Sequence, residues 1–277
     1  MQTVLVPTDF SETAKNAARY AFEFASQLKI RKIVLFHAYQ PPLNANPAMP
    51  SIEFLDLEGL KKSSEEGLQQ FLLQLKVYCP EGIQIETLTD FSLLSENIND
   101  VCDKVNADVI IMGITGGGKL EEVLIGSNTI SVSERSTRPV IIVPAQSGFR
   151  PIKNVLLACD FKKVVENTPV AALKNILNET RATLHVINVS DDAKDDDDKP
   201  FESLMLDTLL QGYSPRYHFI HDKDFTEATN RFASENDIDL IITIPKKHGW
   251  FEGLFRRRRT KSLAFHTHVP LMVVHEP

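Results

Sequence analysis

The chain repeats itself, and this restricts its fold more than any other feature. Val4-Leu5-Val6-Pro7-Thr8-Asp9-Phe10 is answered 151 positions later by Val155-Leu156-Leu157-Ala158-Cys159-Asp160-Phe161. Each is a short apolar run closed by Asp-Phe. The same offset sets Ile33 to Ala38 against Leu184 to Val189. Further on, Ala107-Asp108-Val109-Ile110-Ile111 matches Ile238-Asp239-Leu240-Ile241-Ile242 at an offset of 131, which also pairs Thr129 with Thr260, Pro139 with Pro270 and Val143 with Val274. The second copy is therefore 20 residues shorter, the loss falling between its second and fourth strands. The reading is a duplication: one domain at residues 1–144, a second at 152–277, and a linker at 145–151 of small, polar and Pro/Gly residues. A chain of 277 residues gives each copy enough length for its own core.

Strands and helices alternate within a copy. In the first, Thr3 to Pro7, Lys32 to Ala38, Ile83 to Thr87, Val109 to Gly113 and Val140 to Val143 are short apolar, mostly β-branched runs. Such runs suit parallel strands covered on both faces. Ser11 is placed to cap a helix carrying Ala14, Ala17, Ala18, Ala21, Ala25 and Leu28 at helical spacing. Leu57 to Val77, Leu93 to Asn106 and Ser127 to Ser136 read as three more helices. This order implies an α/β fold, two tandem doubly wound domains with right-handed crossovers. Gln40 to Ser51 is a long proline-rich loop, of the kind that flanks or covers a binding site or is merely mobile.

Composition excludes several classes. A net charge of -7 gives no sign of a nucleic-acid or membrane-surface protein. Cys79, Cys102 and Cys159 are far apart and unpaired by motif, which fits a reducing compartment rather than a disulfide or zinc framework. MQTVLVPTDF reads as a first strand rather than a signal peptide, and no apolar run has membrane-spanning length. The expected location is cytoplasmic. The acidic run Asp195 to Asp198 reads as a solvated loop. No HExxH, Walker A, GxSxG, ATP-pyrophosphatase loop or HxGH signature occurs, and no general base is placed to activate water.

One segment carries chemistry. Met112-Gly113 ends the fourth strand; Gly116 follows, and Gly126-Ser127-Asn128 opens the fourth helix nine residues after Gly116. Glycines at a strand's carboxyl end permit close backbone approach, and a helix start offers unpaired N–H groups to an anion. Asp9, ending the first strand, faces the same crevice and could accept from a ribose hydroxyl or an adenine amine. The alternative is a glycine-rich surface turn without a ligand.

Pro7-Thr8-Asp9 after a first strand, with Gly113-x2-Gly116-x9-Gly126-Ser127, resembles the universal stress protein family and, by the spacer and Gly-Ser, its ATP-binding branch. The resemblance spans both copies. It implies an adenine nucleotide alpha hydrolase-like domain with a five-stranded parallel sheet in each copy, and ATP along the carboxyl edge of the first. Adenine is then expected near Asp9 and the Ala38 backbone, ribose near Met112 and Gly113, and phosphates on Gly116, Gly126, Ser127 and Asn128, with Mg²⁺ as a companion. It also implies that Val140 to Val143 and Leu271 to Val274 pair, so that one chain imitates a dimer; whether chains associate further is open.

At the second copy's matching positions, Gly113, Gly116, Gly126 and Ser127 become Ile244, Lys247, Arg257 and Arg258. Bulky side chains there argue against ATP in the second domain. The run Arg256 to Arg259 reads as solvated or salt-bridged, with an anion or protein partner as the alternative; nucleic acid is the weakest reading. Three functions remain: an ATP-binding regulatory stress-response protein with an unnamed protein partner, a slow ATPase or phosphoryl or nucleotidyl transferase, and a nucleotide-free interaction scaffold.

Overall fold

The computed structural model describes residues 1–40, 56–114, 126–190, 199–244 and 268–275. The first half runs β1 (Thr3–Pro7), α1 (Glu12–Gln27), β2 (Lys32–Tyr39), α2 (Leu57–Leu75), β3 (Gln84–Phe91), α3 (Leu94–Val105), β4 (Val109–Gly113), α4 (Ser127–Arg135) and β5 (Val140–Val143). The second runs β6 (Asn154–Ala158), α5 (Val164–Asn167), α6 (Val170–Thr180), β7 (Thr183–Ser190), α7 (Lys199–Leu209), β8 (Arg216–His221), α8 (Phe225–Glu235), β9 (Leu240–Thr243) and β10 (Leu271–Val273). All ten strands form one sheet, in the order β3-β2-β1-β4-β5-β10-β9-β6-β7-β8. Each half is parallel throughout, with the same internal order. At the junction β5 and β10 pair antiparallel, Val140 opposite Val273 and Ile142 opposite Leu271.

The strands are apolar at successive positions because both faces are covered. Val4 and Val6 pack on one side with Ala17, Ala21 and Phe24 of α1. Leu5, between them, packs on the other with Ile98 and Val101 of α3. The second half repeats the alternation, Val155 and Leu157 on the first face and Leu156 on the second.

Polar anchors repeat as well. Asp108 accepts hydrogen bonds from the N–H groups of Gln2 and Thr3 (2.6 and 3.0 Å), holding β1 beside β4. Asp239, its counterpart, accepts from Lys153 and Asn154 (2.8 and 3.0 Å). Phe10 and Phe161 both take positive φ (66° and 51°), an uncommon state for a bulky residue. Phe10 N–H donates to Thr8 Oγ1 and Phe161 N–H to Cys159 Sγ, so each strained turn is braced by the same position.

The halves part in two places. β2 and β3 are joined by residues 40–83 but β7 and β8 by residues 191–215, a crossover 19 residues shorter. The first helix also differs. α1 is continuous from its Ser11 cap, where Oγ accepts from Ala14 N–H at 3.2 Å. In the second half Pro169 stands where Ala18 stands in the first. Proline removes an N–H and drives the preceding residue out of helical space. Thr168 is accordingly extended (φ -85°, ψ 120°), and one helix becomes the short α5 followed by α6.

The strand starts agree with the sequence reading except that β3 begins one residue later and runs on to Phe91, and β2 continues to Tyr39. The proline-rich loop from 41, the acidic run at 195–198 and the arginine run at 256–259 lie outside the described residues.

Candidate functional site

A cleft of about 730 Å³ opens at the carboxyl edge of β1, β2 and β4 in the first half. Pro7, Thr8, Asp9, Ala38, Met112, Gly113, Gly126, Ser127 and Asn128, singled out from sequence, all line it. Gly116 lies outside the described residues. Sequence reasoning missed Ala14, His37, Leu94 and Thr129. His37 had a signal, since it neighbours Ala38 at the end of an apolar strand.

The turn after β1 is built from its own polar side chains. Asp9 Oδ1 accepts from Ser11 N–H at 3.0 Å, which ties one carboxylate oxygen to the turn. No described residue pairs with the other, so Asp9 keeps an acceptor for the cleft. His37 Nδ1 lies 2.7 Å from Ser64 Oγ, and its ring tilts against Phe10 at 4.4 Å. Burial lowers the imidazole pKa while the Asp9 charge pulls the other way, so the ring is neutral at pH 7.

The opposite wall is the start of α4. Gly126 N–H donates to the Ile114 carbonyl (2.8 Å) and is spent on tethering the helix start to β4. Thr129 Oγ1 adds a second tie, donating to the Gly113 carbonyl at 2.9 Å. No side chain among the described residues caps α4. The donors left for an anion are therefore the N–H groups of Ser127, Asn128 and Thr129, one step further along than the sequence reading placed them.

Gly113 needs a different reason from the one read in sequence. A Cβ there would lie 2.8 Å from the Thr13 carbonyl oxygen, closer than real side chains come. The missing side chain thus makes room for the first turn of α1. Gly126 has φ -63°, so its backbone asks for no glycine.

The second half has a cleft of about 650 Å³ at the matching edge. Ile244 lines it without filling it. Lys247, Arg257 and Arg258 lie outside the described residues. No three His, Cys, Asp or Glu side chains converge on a metal position among the described residues, and none of their helices is long and apolar enough to cross a membrane.

The model of the universal stress protein family matches residues 1–144. Universal stress protein MJ0577 of Methanocaldococcus jannaschii is 28% identical over 156 residues, covering 52% of this chain and 96% of that protein. Universal stress protein Sll1654 of Synechocystis is 31% identical over 144 residues, covering 52% and 85%. The crystal structure of a universal stress protein from Archaeoglobus fulgidus DSM 4304 superposes over 99% of this chain and 98% of its own, with a TM-score of 0.73 at 21% identity. That likeness extends the fold across both halves.

Proposed function

Because the chain belongs to the universal stress protein family, we propose that its first half holds an adenine nucleotide, ATP foremost, and that occupancy regulates a protein partner in stress adaptation. Residues 1–144 and 152–277 act in this reading as tandem domains in the cytoplasm, with the nucleotide site in the first alone. The observation that carries it is the uncapped first turn of α4 facing Asp9 across one cleft. An anion at one end and a hydrogen-bond donor at the other is the polarity of a nucleotide.

Phosphate oxygens would take the N–H groups of Ser127 and Asn128 and the Ser127 hydroxyl. Adenine would sit toward Asp9 and the Ala38 backbone, with ribose beside Met112 and Gly113. Neutral His37 leaves that end free of a cation that would compete for the Asp9 carboxylate. Mg²⁺ would take its oxygens mainly from the phosphates and water, as it does in many nucleotide sites. Bound there, it would neutralise phosphate charge.

Mass spectrometry of small molecules released from purified, denatured protein tests the reading. One adenine nucleotide per chain is expected, and calorimetry should then rank ATP, ADP and AMP. No heat with any of the three on ligand-free protein would overturn it. Phosphate release followed over hours distinguishes regulatory occupancy from slow hydrolysis.

A further inference from the structure

The sheet ends in two edge strands, β3 and β8, and only one of them suits a copy of itself. An edge strand presents a row of N–H and C=O groups that its sheet does not use. Which residues carry that row follows from the register. Asp222 N–H, just past β8, donates to the Ser190 carbonyl at 3.2 Å. Backbone direction alternates along a strand, so Arg216, His218 and Ile220 turn toward β7 while Tyr217, Phe219 and His221 turn outward. In β3 the Gln84 N–H donates to the Arg31 carbonyl at 2.9 Å, which leaves Ile85, Thr87, Thr89 and Phe91 outward.

The outward set of β8 is symmetric about Phe219, which is 48% exposed. A second β8 laid antiparallel about a twofold axis at that residue sets Phe219 against the partner's Phe219. It also sets Tyr217 against the partner's His221, and Arg216 against the partner's Asp222. Aromatic and opposite-charge cross-strand pairs both stabilise such a ladder. Asp222 already accepts from Arg231 of its own chain at 2.9 Å, and a carboxylate has acceptor sites for a second cation. β3 lacks this complementarity. It carries Glu86 and Asp90 and no basic residue, so the same pairing would set acid beside acid.

The helix over β8 adds apolar surface. The Tyr217 hydroxyl donates to Asp207 Oδ1 of α7 at 2.7 Å, and α7 leaves Phe201 and Leu204 more than half exposed. The chain joins its own halves by the same device, β5 antiparallel to β10. We propose that β8 is a self-pairing edge. Two copies of this chain join through it, antiparallel and centred on Phe219, into one continuous sheet. This inference does not depend on the nucleotide reading of the first half.

Sedimentation of the full chain at rising concentration tests it. The mass should climb from 31.2 kDa toward twice that value, with half-conversion below about 100 μM. Amide exchange at Tyr217, Phe219 and His221 should slow as the dimer forms, while Thr87 and Thr89 stay unchanged. Phe219→Lys and Phe219→Glu should each weaken dimerisation about tenfold or more, because like charges then face each other across the axis. An equimolar mixture of the two variants should dimerise again, since position 219 meets itself. Should either variant unfold by circular dichroism, Arg216→Glu, at an exposed position, should still weaken the dimer, and more so at low salt. A chain that stays monomeric at about 100 μM overturns the proposal, even if an added peptide protects β8. So does a dimer whose protection falls outside β8, or a pair of folded variants that fails to recombine.

Discussion

The two clefts stand at the same place in a repeated strand order, and they teach which parts of such a site are scaffold and which are chemistry. The Asp108 and Asp239 anchors, the positive-φ phenylalanines and the Asx turns at Asp9 and Asp160 persist in both. The anchors hold neighbouring strands together, the turns carry the chain from strand to helix, and both recur whatever lines the cleft. The differences cluster where a ligand would touch: Gly113 against Ile244, His37 against Asn188, and an unbroken α1 against α5 and α6. Asp9 thus says less about ATP than its place in the motif suggests, because its counterpart is retained in a cleft of different lining. The start of α4 says more.

The comparison is broken most directly by making the first cleft resemble the second. Gly126→Arg should reduce ATP affinity by about 100-fold or more, measured by calorimetry, because a cationic side chain would fill the phosphate end. Folding should be retained, since φ at this position suits any residue. A variant that still binds ATP would remove the reason for assigning the nucleotide to one half.

Gly113→Ala probes scaffold rather than ligand. Its new methyl meets the Thr13 backbone, so urea unfolding should show a loss of about 1–3 kcal/mol, the usual cost of overpacking. Stability equal to the parent chain would mean that the start of α1 yields freely.

Asp9→Asn and Asp160→Asn sharpen the contrast. Asn keeps an oxygen for the Asx turn in each half. Only the first should weaken ATP binding, by about tenfold, the order expected for a charge-assisted hydrogen bond. Equal effects in calorimetry would spread the nucleotide over both halves.

The smallest effect is on pH. His185 and His218 lie with Nδ1 and Nε2 3.2 Å apart, their rings stacked, and Phe232 against both. Burial lowers both pKa values, helped by the Arg216 charge and, for His185, by its partner. Below about pH 6.5 the unfolded chain then binds more protons than the folded one, so stability present at pH 7 is lost on acidification. Hydrogen exchange in β7, β8 and α8 should quicken between pH 7 and pH 5 before that in β1 and β4. His185→Val, which installs the first half's Val34, should flatten the response. Uniform acceleration in both halves would rule out the histidine pair as its source.

Much of the fold was legible because it rests on local apolar runs and on a repeat that can be aligned by eye. The seam could be inferred only through the family resemblance, since edge pairing leaves no local signature in β5 or β10. The split of the second half's first helix was written in Pro169, yet it emerges only when that residue is set against Ala18. The cleft was legible as a set of residues but not as a set of reasons. Gly113 is explained by Thr13, 100 residues away in the chain, and the Gly126 N–H by Ile114, 12 residues away.

The antiparallel pairing of β5 with β10 has a consequence for traffic through the molecule. Strand direction reverses across that seam, so the carboxyl edge of one half lies at the opposite rim of the sheet from that of the other. The two mouths therefore face away from each other, and their occupants neither collide nor share a doorway. Between them lie three opposed residue pairs, Val140 with Val273, Ile141 with Met272 and Ile142 with Leu271, and beside that ladder His275 Nε2 meets the Ser133 carbonyl at 2.6 Å, so the halves are fastened at their seam while their mouths stay apart.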